Sequence, residues 1–155
     1  MTDLDIRLRE VSRDAEVPDS PSEFEDWGER DSNAMPADLR RWVIELHTDA
    51  SVVEVGNLSS HSVWYGPTLG SRAMNIGINV VAPFRGQGIG AAAQAKLAEL
   101  LHLEGVARVE ASTDVTNVAE KKSLARAGFA FEGVLRQAQG RADGLHDLEV
   151  WSHIF

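Results

Sequence analysis

The chain contains no cysteine, which excludes disulfide staples and thiolate metal sites and makes the cytoplasm the expected compartment. No metal site is expected. Tyrosine occurs once, as Tyr65. No apolar run approaches the roughly 20 residues that cross a bilayer, and the first residues alternate charge with apolar side chains instead of forming a signal-peptide core. No membrane association is expected. Basic residues are few: 15 Lys and Arg stand against 24 Asp and Glu, a net charge of −9. That balance argues against nucleic acid as a partner. What is present is 155 residues, 43% apolar and 25% charged, enough for a single domain with a sizeable core.

The negative charge is concentrated. Asp14, Glu16, Asp19, Glu23, Glu25, Asp26, Glu29 and Asp31 stand against Arg30 alone, so one stretch carries −7 of the total −9. It reads either as a solvated acidic loop or as a lid that attracts a cationic substrate. Prolines punctuate the region, and only Ser22–Trp27 reads as a short helix, begun by Ser20-Pro21. Phe24 and Trp27, three apart, are then expected to face a cleft or to anchor that helix. Around it, Asp5–Val11 alternates as a half-buried strand, and Arg41–His47 with Ser51–Leu58 reads as a hairpin. Trp42 is expected in the core. A Gly/Ser/Pro-rich loop over Ser59–Arg72 carries His61, and Ala73–Val81 reads as the next strand.

The most informative segment follows. Asn79, Val80 and Val81 run into Ala82-Pro83-Phe84-Arg85-Gly86-Gln87-Gly88-Ile89-Gly90, a glycine-rich turn opening a helix with an apolar stripe at Ile89, Ala93, Leu97, Leu100 and Leu101. Glycines let successive N–H groups point outward together, and a helix N-terminus adds positive potential. Such a turn is suited to an anion, and a pyrophosphate is the one expected. The run Gly86-Gln87-Gly88-Ile89-Gly90-Ala91 also satisfies a dinucleotide-binding pattern, with Glu110 at about the expected spacing. Four residues intervene between strand and glycines, however, and too little chain follows for a doubly wound sheet. A P-loop is excluded, since no Gly-Lys-Ser/Thr closes the run. Downstream come a strand at Val106–Ala111, a helix at Asn117–Ala127 with Asn117 as N-cap and Glu120 at the capping-box position, and closing strands at Phe129–Gln137 and His146–Ile154. The expected order is β-α-β-β-β-α-β-α-β-β, an α/β fold.

Arg85-Gly86-Gln87-Gly88-Ile89-Gly90 resembles the acyl-CoA signature of the GNAT acetyltransferases. Asn117-Val118-Ala119-Glu120, Gly128-Phe129, Glu132-Gly133-Val134-Leu135-Arg136, Asp147 and Trp151-Ser152 look like the ribosomal-protein-alanine acetyltransferase branch. The resemblance implies a mostly antiparallel mixed sheet, splayed in the middle and flanked by helices, with acetyl-CoA as co-substrate in the gap. By resemblance, main-chain groups of Asn79, Val80 and Val81 would pair with the pantetheine arm. Arg85, Gly86, Gln87, Gly88, Ile89 and Gly90 would hold the pyrophosphate, and Asn117 would lie near the thiol.

Acyl transfer to an amine needs a base for the ammonium and a proton for the departing thiolate. Many family members supply the latter from a tyrosine seven residues after the asparagine, which here is Leu124. The branch has a serine three residues after it, which here is Glu120. Ser123 is near in sequence but in another register of the helix. His61 is the best-placed base by sequence, and Asn75 stands where the branch often has a glutamate. Glu54 and Asn75, with Phe24 and Trp27, are candidates for contacting the amine. With no cysteine to carry an acyl group, direct transfer is expected. The acceptor is expected to be a small-molecule or peptide primary amine. The alternative is a non-catalytic acyl-CoA-binding regulator. Oligomeric state, a homodimer included, is left open.

Overall fold

The computed structural model describes residues 3–155. Ile6 and Leu8 alternate with charged neighbours in β1 (Asp5–Val11), which pairs antiparallel with β2 (Arg40–His47). A tight turn leads into β3 (Val52–Trp64), and β4 (Arg72–Val80) pairs with it in turn. With β5 (Arg108–Asp114), β6 (Ala130–Arg141) and β7 (Gly144–Ile154), these make a seven-stranded sheet of order β1-β2-β3-β4-β5-β7-β6. Every neighbouring pair is antiparallel except β4 and β5.

That exception shapes the molecule. The parallel contact consists of Met74 with Val109 and Asn75 with Glu110. Beyond it, Ile76–Val80 of β4 and Ala111–Asp114 of β5 run on without pairing to each other, so the sheet forks and leaves an open slot between two strand edges.

Helices α1 (Ile89–Leu103) and α2 (Val118–Arg126) cover one face. Ile89, Ala93, Leu97, Ala98 and Leu101 form the buried stripe of α1 and pack with Ile6, Trp42, Ile44, Leu58, Met74, Ile76 and Val109. Trp42 lies in this core, as expected. Among the described residues, no helix is long and apolar enough to cross a membrane. The other face of the central strands is polar: cross-strand register aligns Asn57 with Asn79, Ser59 with Gly77, and His61 with Asn75 and then Glu110.

Two sequence expectations need correction. Ser22–Trp27 forms only a turn, with Glu25 N donating to Ser22 O at 3.1 Å. A six-residue helix has little intrinsic stability, and its carbonyls are claimed elsewhere: Glu23 O accepts from Arg141, and Asp26 O from Ala142 N at 2.9 Å. The polar run Ser59–Trp64 is strand and not loop, because its small side chains match Gly77 and Asn75 on β4. Gly56 permits this pairing, since a Cβ there would lie 2.3 Å from Asn79 O. In β6 a bulge puts Gln137 at φ 53°, and Asp147 fixes it by accepting from Gln137 N at 2.7 Å.

Candidate functional site: a forked sheet beneath an acidic strap

The slot begins at the glycine turn. Gly86 and Gly88 have φ of 76° and 84°, and Gly88 caps α1 without any side-chain hydrogen bond. No protein acceptor meets the N–H groups of Gly86, Gln87, Gly88, Ile89 or Gly90 among the described residues. Their unmet donors at a helix N-terminus make a cup for an anion. Gln87 itself donates to Pro83 O at 3.2 Å. Arg85 lies at the rim, its Nε on Val80 O at 2.8 Å and its Nη2 on Pro21 O at 3.2 Å.

The strand edge is read differently than expected. Val81 N is spent on Val55 O at 2.9 Å, so alternation turns the main chain of Asn79 and Val81 toward β3 and that of Ile76, Ile78 and Val80 toward the slot. Ile76, Ile78 and Val80, and not Asn79 or Val81, therefore present their main-chain groups to the open slot. Sequence reasoning missed Ile76 and Ile78 because hydrogen-bond parity is set by pairing register.

Asn79 has another task. Its Oδ1 accepts from Ser20 N at 3.0 Å, and its Nδ2 donates to Ser20 O at 2.9 Å. Asn57 Nδ2 donates to Pro18 O at 2.7 Å. These amides fasten the acidic segment to the polar face of β3 and β4, while Arg141 and Ala142 of the β6–β7 hairpin hold Glu23 and Asp26. The segment is thus an extended strap across the mouth of the fork. Beneath it lies a cavity of about 630 Å³ lined by Glu16, Asp19, Glu25, Trp27, Asn57 and Asn79, among others. Phe24 sits under the Arg141 guanidinium, 5.8 Å from it. Glu25 is exposed as a residue, yet burial of its carboxyl end and then the charge of Asp19 raise it above the usual carboxylate range.

The hairpin end of the strap rests on a buried ion pair. Arg141 bonds to Asp114 and His146, and the Asp114 and Arg141 side chains are 2% and 6% exposed. Burial pushes Asp114 up, but hydrogen bonds from Thr116 and the charges of Arg141 and His146 outweigh it and hold the carboxyl below its ordinary value. Removing one member of such a pair strands the other. Arg141→Ala should therefore lose about 3 kcal/mol of stability in urea unfolding, and proteolysis within residues 20–28 should accelerate.

On the helix side, Asn117 caps α2 by accepting from Glu120 N at 3.2 Å. The reciprocal capping-box bond does not form, because Asn117 N donates to Asp114 O and the Glu120 carboxyl turns to Gln94 of α1. Burial raises Glu120 to about 7, with the Gln94 bond opposing. Gln94 is 1% exposed and its Oε1 has no partner; with the amide turned over, a protonated Glu120 would donate to that oxygen. Ser123 faces Gly90, whose Cβ would lie 3.1 Å from Ser123 Oγ, so it adjoins the anion cup. Leu124, in the position of the family tyrosine, is fully buried core.

His61 and Asn75 sit side by side at the fork's closed end, on the polar face. Glu54 is drawn away: it pairs with Arg9 at 2.8 Å, is exposed, and does not line the cavity beneath the strap. Across from Asn75, Glu110 is 4% exposed and accepts from the Tyr65 hydroxyl and Arg108. In the sequence, Glu110 stands out only by its spacing from the glycine run.

Comparison with known proteins accords with this geometry. The Acetyltransferase (GNAT) domain model matches residues 5–130. The chain belongs to the GNAT acetyltransferase family. Among solved structures, RimJ of Mycobacterium smegmatis in complex with CoA-disulfide is 26% identical with a TM-score of 0.63, the match covering 75% of this chain and 53% of RimJ. The microcin C7 self-immunity acetyltransferase MccE, solved with acetyl-CoA and AMP, is 24% identical with a TM-score of 0.62, covering 76% and 61%. The ribosomal-protein-alanine N-acetyltransferase of Brucella melitensis is 24% identical with a TM-score of 0.61, covering 76% and 69%. The match spans between about half and two thirds of the length of these structures. A search of curated proteins found no match. The GNAT fold of the chain, a forked seven-stranded sheet with two helices on one face, is shared with these structures.

Proposed function

We propose that the chain is a cytoplasmic CoA-dependent N-acyltransferase that moves an acetyl group from acetyl-CoA directly to a primary amine. The observation that carries this is the open slot: free strand-edge main chain along β4 leads to a cup of unbonded N–H groups. Solved neighbours hold CoA or acetyl-CoA. The residues fit this co-substrate in both charge and shape. Gly86–Gly90 amides would take the pyrophosphate, Ile76, Ile78 and Val80 would pair with the amide-bearing arm, and Arg85 would leave Val80 O to meet phosphate. Asn117 and Glu120 would lie toward the thiol end. The bound co-substrate supplies an activated acetyl thioester.

Glu120 would hold the proton that the departing thiolate requires, since a largely buried carboxyl titrating near neutrality is protonated in useful amount. The strap concentrates carboxylates over the polar face, which favours a cationic acceptor such as a peptide amino terminus, an amino acid or an aminated small molecule. Trp27 and Phe24 would frame that entrance. With no cysteine available, the amine attacks directly.

A second reading, a non-catalytic acyl-CoA sensor, draws on Leu124 and Glu120 standing where relatives carry a hydroxyl. One pair of measurements separates the two. Calorimetry with CoA should show heat, and thiol release from acetyl-CoA should accelerate with at least one member of a primary-amine panel. Binding without turnover would favour the sensor. Heat with NAD and none with CoA would overturn both.

A further inference from the structure

Tyr65 is the chain's sole tyrosine and is 64% exposed, yet its hydroxyl is not free. It donates to Glu110, with both carboxylate oxygens within reach at 2.9 and 2.8 Å. Glu110 belongs to the last pair before β4 and β5 part. The pair therefore marks the closed end of the fork, where an extended arm entering from the glycine turn would present its reactive end. A cavity of about 640 Å³ opens above it, lined by Tyr65, Ala73, Arg108, Glu110 and Ser112, among others. Ser112, on the parted portion of β5, also lines it, so the cavity lies beside the closed end of the fork, over β5, β6 and β7.

The carboxylates of the cluster share one hydrogen-bonding guanidinium. Arg108 gives its Nε to Glu110 at 2.9 Å and both terminal nitrogens to Glu132 at 2.7 Å. Glu132, pinned by Arg108 and then Ser152, is held down to about 2 and stays ionised. One guanidinium thus serves two carboxylates. Arg72 also lines the cavity without a hydrogen bond to either carboxylate, so two arginines face two glutamates there. From β3, His61 aligns with Asn75 of β4 and so lies two strands from the Glu110 carboxylate on β5. The family glutamate position is Asn75, but its cross-strand neighbour Glu110 puts a carboxylate in the same row.

Resting on the acyltransferase reading above, we propose that Tyr65 and Glu110 form the relay that removes the proton from the acceptor ammonium. The ammonium donates to the Tyr65 oxygen while Tyr65 passes its own proton to Glu110, leaving a neutral amine and a protonated carboxyl. The amine nitrogen then bonds to the acetyl carbon and the carbon–sulfur bond breaks. The sulfur takes a proton from Glu120. The nitrogen loses its remaining extra proton to solvent, which also clears Glu110 and reloads Glu120. The net products are the amide, the thiol and the proton first carried by the ammonium. The hydroxyl can do this because its oxygen retains lone pairs while its hydrogen is committed to Glu110.

The test uses Tyr65→Phe in the full chain, with thiol release measured at pH 7 for ethylamine and 2,2,2-trifluoroethylamine. Ethylamine arrives charged and needs a base; the fluorinated amine arrives neutral and does not. The variant should lose about 100-fold in kcat/KM for ethylamine and stay close to wild type for trifluoroethylamine. His61→Gln, measured alongside, should show no such discrimination. Equal losses on both amines, or none, would overturn the relay. So would discrimination by His61→Gln with Tyr65→Phe unaffected. Because Tyr65 is exposed, unchanged CoA binding and melting temperature are expected and isolate the effect from folding; Glu110→Gln should repeat the pattern. Failure of the wild type to release thiol with any amine would instead remove the acyltransferase reading itself, and the relay with it.

Discussion

Glu120→Gln should lower kcat about 100-fold at pH 7, the usual magnitude for a positioned acid, while leaving CoA affinity close to wild type. The reason lies in where Glu120 sits. Its carboxyl is enclosed between α1 and α2 against Gln94, and burial raises it to about 7. The wild-type kcat should therefore fall above neutral pH as Glu120 loses its proton, and the variant should lack that limb. A stability measurement checks the same group independently. The folded protein keeps the Glu120 proton up to about pH 7, whereas the unfolded chain releases it near the ordinary glutamate value of about 4.3. Between these values the native state binds more protons, so the contribution of Glu120 to stability is fully present below about pH 4 and falls as pH rises toward 7. Glutamine resembles the protonated form. Glu120→Gln should match wild type at pH 4 and exceed it at pH 8, by at most about 4 kcal/mol. Equal stability at both pH values, or an unchanged kcat profile, would remove Glu120 from the chemistry.

Much of this site was legible in the sequence because its parts are local. A glycine that must take positive φ, an asparagine that caps a helix and an apolar stripe at helical spacing each declare themselves within a few residues. So Gly86, Gly88, Asn117 and the stripe of α1 appear where the sequence places them. What escaped notice depends on partners distant in the chain. Ser22–Trp27 carries a helix-like pattern, but Arg141 and Ala142 claim its carbonyls and the strap stays extended. Ser59–Trp64 has the composition of a loop and becomes strand through its register with β4. The row His61, Asn75, Glu110 exists only because three strands align, and nothing near Glu110 in sequence announces Tyr65 as its partner. Glu120 shows the limit from the other side: its capping position was legible, its turn toward Gln94 was not.

Gly88→Val should weaken CoA binding at least 100-fold while the protein still folds. A Cβ at Gly88 meets nothing closer than Leu4 Cδ1 at 3.9 Å, so no clash is involved. The difficulty is the backbone: φ of 84° is left-handed, costing an ordinary L-residue about 1–2 kcal/mol and a β-branched one more. The turn can relieve that strain only by rotating its peptides, and rotation turns the N–H groups of Gly88 and its neighbours away from their common focus. Losing two hydrogen bonds to a charged ligand, at about 1.5 kcal/mol or more each, corresponds to roughly 100-fold in affinity. Gly105 supplies the control. It has φ of 97°, follows the C-terminal end of α1, and would place its Cβ in open space. Gly105→Val should lower the melting temperature by a similar amount, about 2–4 °C per kcal/mol for a domain of this size, and leave calorimetric CoA binding intact. If both variants bind CoA as the wild type does, the diphosphate does not rest on the glycine turn. If both lose it together, strain alone accounts for the effect and the cup is not the reason.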